Sequence, residues 1–293
     1  MKRLAGLLLG SVLLFGGFSI VAAQDSADGA MPPPKVLVIY REFLKPGRAG
    51  SVHEKSERAF VEAFAKAKWP THYIAADSLS GKPRSLFLIG YDSFDAWEKD
   101  NKAIQKNTAL SATFDRASMS DGDLQSDADA GIFTLSDEYS LRSSVDIAHM
   151  RYFEISQYQV RAGHRKEWDE LVKMVMAAYD KIPNAHWATY ERAYGNGASY
   201  LVFTPLKSGS EIDQEPDQDK QFIAAMGEDG MKKLGELEAA AVESRQTNLF
   251  IFNPRMSYPR DEWVKADADF WAPKAGMSGA MHKKSAEKAP AAQ

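Results

Sequence analysis

Cysteine is absent from all 293 residues, which excludes a disulfide framework, thiolate zinc or iron–sulfur ligation, and a cysteine nucleophile. It also excludes anchoring by cysteine acylation. An excess of positive charge is missing too. Lys and Arg number 36 against 40 Asp and Glu, for a formal net charge of −4, so the chain lacks the basic excess of a nucleic-acid-binding protein and no such partner is expected. No G-x-S-x-G elbow, P-loop or G-x-G-x-x-G fingerprint occurs, so nothing points to a nucleophile elbow or to an NTP- or NAD-dependent reaction. What is present is 44% hydrophobic residues, enough for one large core or two small ones.

The only long apolar run lies at the amino terminus. Lys2 and Arg3 precede an almost wholly apolar stretch from Leu4 to Val21, and Val21-Ala22-Ala23 offers the small residues of a cleavage site before Gln24. Residues 1–23 therefore read as a secretory signal peptide. Their removal takes away two positive charges and no negative ones, moving the net charge from −4 to −6. The expected location is periplasmic or secreted, with no membrane association after cleavage.

The remaining chain repeats itself. Val36 to Phe43 is a β-rich run ending at a glycine turn, and Tyr152 to Tyr158 is its counterpart. HEKSERAFVEAF from His53 and HRKEWDELVKMV from His164 then align at an offset of 111 residues, with apolar positions at helical spacing. Trp69-Pro70 and Ile182-Pro183 stop these helices, because proline disfavours helical geometry in the residue before it. Each half continues with a hairpin, then a helix begun by Ser93 or Ser208, and closes on an apolar run (Ile132 to Leu135, Leu249 to Phe252). Each half is thus β-α-β-β-α-β, the ferredoxin-like unit, whose four-stranded sheet carries helices on one face only.

The expected fold class is α+β, with two tandem ferredoxin-like units packed sheet to sheet as an intramolecular dimeric α/β-barrel. The expected boundaries are a signal peptide at 1–23, a linker at 24–34, the first repeat at 35–146 and the second at 147–258. A tail at 259–274 is expected to dock its aromatics, and 275–293 to stay disordered. Ser118 to Asp129 reads as an acidic loop. The arrangement resembles the dimeric α/β-barrel superfamily, which includes small monooxygenases, haem-degrading enzymes, chlorite dismutases and stress-responsive domains. The runs KAKWPTHY, GYDSFDAWEKDN and NPRMSY resemble a group of exported bacterial proteins, a likeness that implies the fold and no particular activity.

Four of the six histidines fall in repeat-matched pairs, His53 with His164 and His72 with His186. With Arg192 they are the candidate ligand-binding residues, although duplication of structural histidines explains the same symmetry. His53 and Glu57 share a helix face at i, i+4 as a two-ligand metal site would need, but HExxE lacks the second histidine of HExxH and the second half carries Trp168 there. No metal site and no cofactor are expected. The favoured function is a module binding a small apolar or aromatic ligand. The alternatives are a haem-dependent or cofactor-independent oxygenase or isomerase, implied by the resemblance, and a structural protein forming a homo-oligomer.

Overall fold

A computed structural model describes residues 29–195 and 197–272. The first half comprises β1 (Val36–Leu44), α1 (Ser51–Ala67), β2 (Tyr73–Ser78), β3 (Arg84–Tyr91), α2 (Phe94–Lys106), α3 (Thr108–Gly122) and β4 (Gln125–Leu135). The second comprises β5 (Tyr152–Val160), α4 (Arg165–Tyr179), β6 (Ala188–Arg192), β7 (Ser199–Leu206), α5 (Gly209–Ile212), α6 (Glu215–Ala241) and β8 (Val242–Phe252). Two short helices, α7 (Asp261–Ala266) and α8 (Ala268–Trp271), follow. The signal peptide and the 275–293 tail lie outside the described residues.

The two four-stranded sheets join at both edges. β2 pairs with β8 (Ala76 opposite Phe252) and β4 with β6 (Thr134 opposite Glu191), closing an eight-stranded antiparallel barrel in the order β1-β3-β2-β8-β5-β7-β6-β4. Closure leaves no barrel strand with an unpaired edge. The repeat is preserved down to irregularities, since β1 shifts register at Phe43/Leu44 and β5 at Gln159/Val160.

Strand alternation sorts the side chains. In β1, Leu37 and Ile39 point into the barrel, while Val36 and Val38 pack outward toward Trp97 of α2. Phe133, Phe153, Phe203 and Phe250 fill the lumen, with Phe153 edge-on to Phe203 at 5.5 Å. A cavity of about 260 Å³ is lined by lumen residues together with Arg41, Arg84 and Asn248, so the barrel interior has little room for a ligand. Trp271 packs into the same core, and its indole nitrogen donates to the Ala148 carbonyl at 2.8 Å. Arg151, paired with Asp267, ties down the segment that carries it.

Two expectations need correction. The acidic stretch 118–129 is not a loop: its first residues end α3 and its last begin β4, where Asp127 and Asp129 lie opposite Phe43 and Arg41. The strand accepts them because their side chains stand on an exposed flank, and Arg41 pairs with Asp129. The second helix of each half is also interrupted. Ser93 caps α2 by accepting from the Ala96 amide at 3.1 Å, but the helix stops at Asn107, whose side chain starts α3 by accepting from Leu110. In the second half Gly227, at φ 67°, breaks the course of α6.

Candidate functional site

Each half has a space between the outer face of its sheet and its helices, and the two are furnished differently. In the first half, the register puts Glu42 of β1, Ser85 of β3 and Asp77 of β2 side by side. Over them α1 brings His53 and Glu57 one turn apart, and the end of α3 brings Asp121. His53 Nε2 lies 2.9 Å from Glu42 Oε2, 3.6 Å from Asp121 Oδ1 and 3.8 Å from Glu57 Oε1. His53, Glu57 and Asp121 are buried, and Glu42 is the member nearest solvent, with 18% of its side chain exposed.

Neighbours orient this cluster. Ser85 donates its hydroxyl proton to Asp77, which also accepts from Asn253 Nδ2 at 2.8 Å, so the Ser85 oxygen is left to accept from His53 Nδ1 at 3.3 Å. Gln125 donates to Asp121 Oδ2. Glu57 Oε1 and Asp121 Oδ1 are buried with no hydrogen-bond partner. Burial, with the charges of Glu42 and Asp121 beside it, pushes the Glu57 carboxyl up to about 10. Glu42 is raised by burial against the opposing His53 hydrogen bond. Burial alone would lower His53, but the Glu42 hydrogen bond and the Asp121 charge outweigh it and raise the imidazole above its ordinary value.

In the second half, register opposes Tyr158 to Tyr200 just as Glu42 opposes Ser85, and α4 sets Trp168 where α1 has Glu57. Trp168 stacks on Tyr200 at 4.9 Å and meets Tyr158 at 5.2 Å. Next to this aromatic trio lies a cleft of about 1070 Å³ between sheet and helices. Its sheet side presents Glu154, Ser156 and Tyr158 of β5 with Arg245 of β8, and α4 adds Trp168 and Val172. Burial raises the Glu154 carboxyl, opposed by the Arg245 charge. Arg245 lies over the Tyr158 ring at 5.4 Å, and the Trp168 indole nitrogen is buried without a partner.

The five predicted ligand-binding residues do not converge. His53 belongs to the first-half cluster. His72 stacks on Tyr258 at 4.6 Å. His164 starts α4 with 41% of its side chain exposed, 3.5 Å from Glu167. Arg192 lies over the Phe133 ring at 5.5 Å in the β6–β7 hairpin. His186 alone lines the cleft, with ring nitrogens 2.7 Å and 2.9 Å from the Asn184 and Pro205 carbonyls. Both nitrogens are thus turned to backbone oxygens, so His186 presents no free ring nitrogen to a haem iron in this cleft. Sequence reasoning missed Glu42 and Asp121 altogether.

Neither a protein-family profile nor a curated protein matches this sequence. Solved structures do. An anthrone oxidase-like protein is 12% identical over 80% of this chain and 95% of its own, with a TM-score of 0.47. A mutant chlorite dismutase from Candidatus Nitrospira defluvii is 9% identical over 82% and 99%, with a TM-score of 0.45. Strand order and connectivity carry the conclusion: this chain has the dimeric α/β-barrel fold, with both ferredoxin-like halves supplied by one polypeptide.

Proposed function

We propose that the protein is exported and binds, in the cleft of its second half, a small molecule with an apolar or aromatic body and a polar end. The observation that carries this reading is the cleft of about 1070 Å³, large enough for a ligand where the barrel lumen is not. Its chemistry is mixed in the manner of a binding site. Val172, Val175 and Tyr179 offer apolar surface, while Glu154 and Arg245 supply a few polar groups to fix orientation. The amino-terminal signal supports export.

Anilinonaphthalene sulfonate, with an aromatic body and an anionic end, is a direct probe. One molecule is expected to bind saturably, about tenfold more weakly in Arg245→Ala through loss of the cation. Val172→Trp, which fills the cleft from α4, is expected to abolish binding while circular dichroism shows the fold intact. Undiminished binding in a folded Val172→Trp variant would place the probe elsewhere and sink the proposal.

A further inference from the structure

The helix–sheet space of the first half holds something other than a cleft. The geometry points to Glu42, His53, Glu57 and Asp121 as the ligands of one divalent first-row transition-metal cation, of the Mn²⁺, Fe²⁺ or Zn²⁺ class. The four ligand atoms, one per residue, lie within 4.8 Å of one another, and three pairs are at 2.9 to 3.8 Å. Atoms about 2.0–2.2 Å from a shared ion stand at comparable separations from one another.

The surroundings of His53 support the assignment independently. Because Ser85 gives its proton to Asp77, its oxygen accepts from Nδ1, so a cation that displaces the Nε2 proton shared with Glu42 meets an imidazole already held in the ligating tautomer. Three carboxylates face one imidazole in a largely buried space, and only protons or a bound cation offset their mutual repulsion. The unpartnered Glu57 Oε1 and Asp121 Oδ1 are aimed into that same centre. Protons could relieve part of the repulsion, but a single cation satisfies both orphaned oxygens and Nε2 together.

Donor chemistry selects the ion. One imidazole nitrogen with three carboxylates suits Mn²⁺, Fe²⁺ or Zn²⁺, whereas Ca²⁺ and Mg²⁺ favour shells of oxygen alone. Glu42, partly exposed, marks the way in. Duplication does not account for the set, since Tyr158 and Trp168 stand at the matching positions in the second half and only the histidine is shared.

The test uses the full mature chain, stripped with chelator, re-equilibrated separately with Mn²⁺, Zn²⁺ and Ca²⁺, and desalted. Elemental mass spectrometry is expected to find about one Mn²⁺ or Zn²⁺ per chain and little Ca²⁺, with a rise in Tm for the retained ions. Glu57→Gln and Asp121→Asn are expected to lose both the ion and the rise while staying folded, because the neutral amide relieves repulsion. Ser85→Ala, which frees the histidine tautomer, is expected to weaken binding about 10–100-fold. Should the buried variants fail to fold, Glu42→Gln at the solvent side is expected to give the same loss. Failure of wild type to retain Mn²⁺ or Zn²⁺, or retention undiminished in the folded variants, would overturn the site. Equal retention of Ca²⁺ would overturn the class of ion.

Discussion

Glu42, Ser85, His53 and Glu57 in the first half occupy the same structural places as Tyr158, Tyr200, His164 and Trp168 in the second. Strand pairing, register shift and helix entry are shared, yet one set makes a buried polar cluster and the other an aromatic stack beside an open cleft. The backbone of a ferredoxin-like unit asks only that something fill the space under its first helix. Stacked rings fill it by burying apolar area. Carboxylates fill it only if a positive charge accompanies them, because burying unpaired like charges costs far more than any packing they bring. The same comparison shows why matched residues mislead: His53 and His164 share a position in the repeat, but one is 1% exposed among carboxylates and the other stands half in water.

The sharpest way to break this comparison is to truncate each half at its matched helix position. Trp168→Ala is expected to cost about 3–5 kcal/mol in urea unfolding, as for other large aromatic deletions in cores. Glu57→Gln, in chelator, is expected to cost nothing or to stabilise. Similar losses in both would mean that the polar cluster packs like a core.

The histidines give the next largest contrast. Without metal, His53→Ala removes the only basic side chain within 4 Å of Glu42, Glu57 and Asp121 among the described residues and is expected to cost about 3 kcal/mol or more. His164→Ala, at an exposed helix entry, is expected to stay within about 0.5 kcal/mol. Equal costs would restore the reading of both as equivalent structural residues. His186→Ala stands between them at about 1–3 kcal/mol, since its ring lies within hydrogen-bond reach of two backbone carbonyls and removing it strips a donor from between them.

The last contrast is a slope. Glu57 titrates at about 10 in the folded chain against an ordinary value of 4.5, so between these values the folded state keeps a proton that the unfolded state has lost. Its contribution to stability is therefore full below about 4.5 and falls away as pH rises toward 10. His53, also raised, acts in the same direction above its ordinary value. Metal-stripped protein is expected to lose Tm steadily from pH 5 to pH 9, and Glu57→Gln to flatten that loss. No change in slope in the variant would show that Glu57 is not the buried acid.

Much of the fold was legible because it rests on local signals. The β-rich runs at Val36 and Tyr152, the prolines after α1 and α4 and the Ser93 cap each act within a few residues. The cluster was hard to read because it is assembled by register and by a helix end. Glu42 looks like the polar end of a strand until β1 and β3 are paired, and Asp121 was hidden in an acidic stretch that resembles a loop but runs from helix into strand. One signal was present and underweighted: the alignment that places Trp168 opposite Glu57 says that Glu57 occupies a core position, and a carboxylate there needs a partner. The sequence offered an expectation of a ligand but no place for it, since no residue pattern announces that a helix–sheet space is left unfilled.

The central claim, that two halves of one fold hold different contents in the same space, is tested most directly by crystals of the mature protein grown with Mn²⁺ and examined by anomalous diffraction. The account predicts one strong peak among Glu42, His53, Glu57 and Asp121 and none near His164 and Trp168. A map with no peak in the first half, or with matching peaks in both, would contradict it.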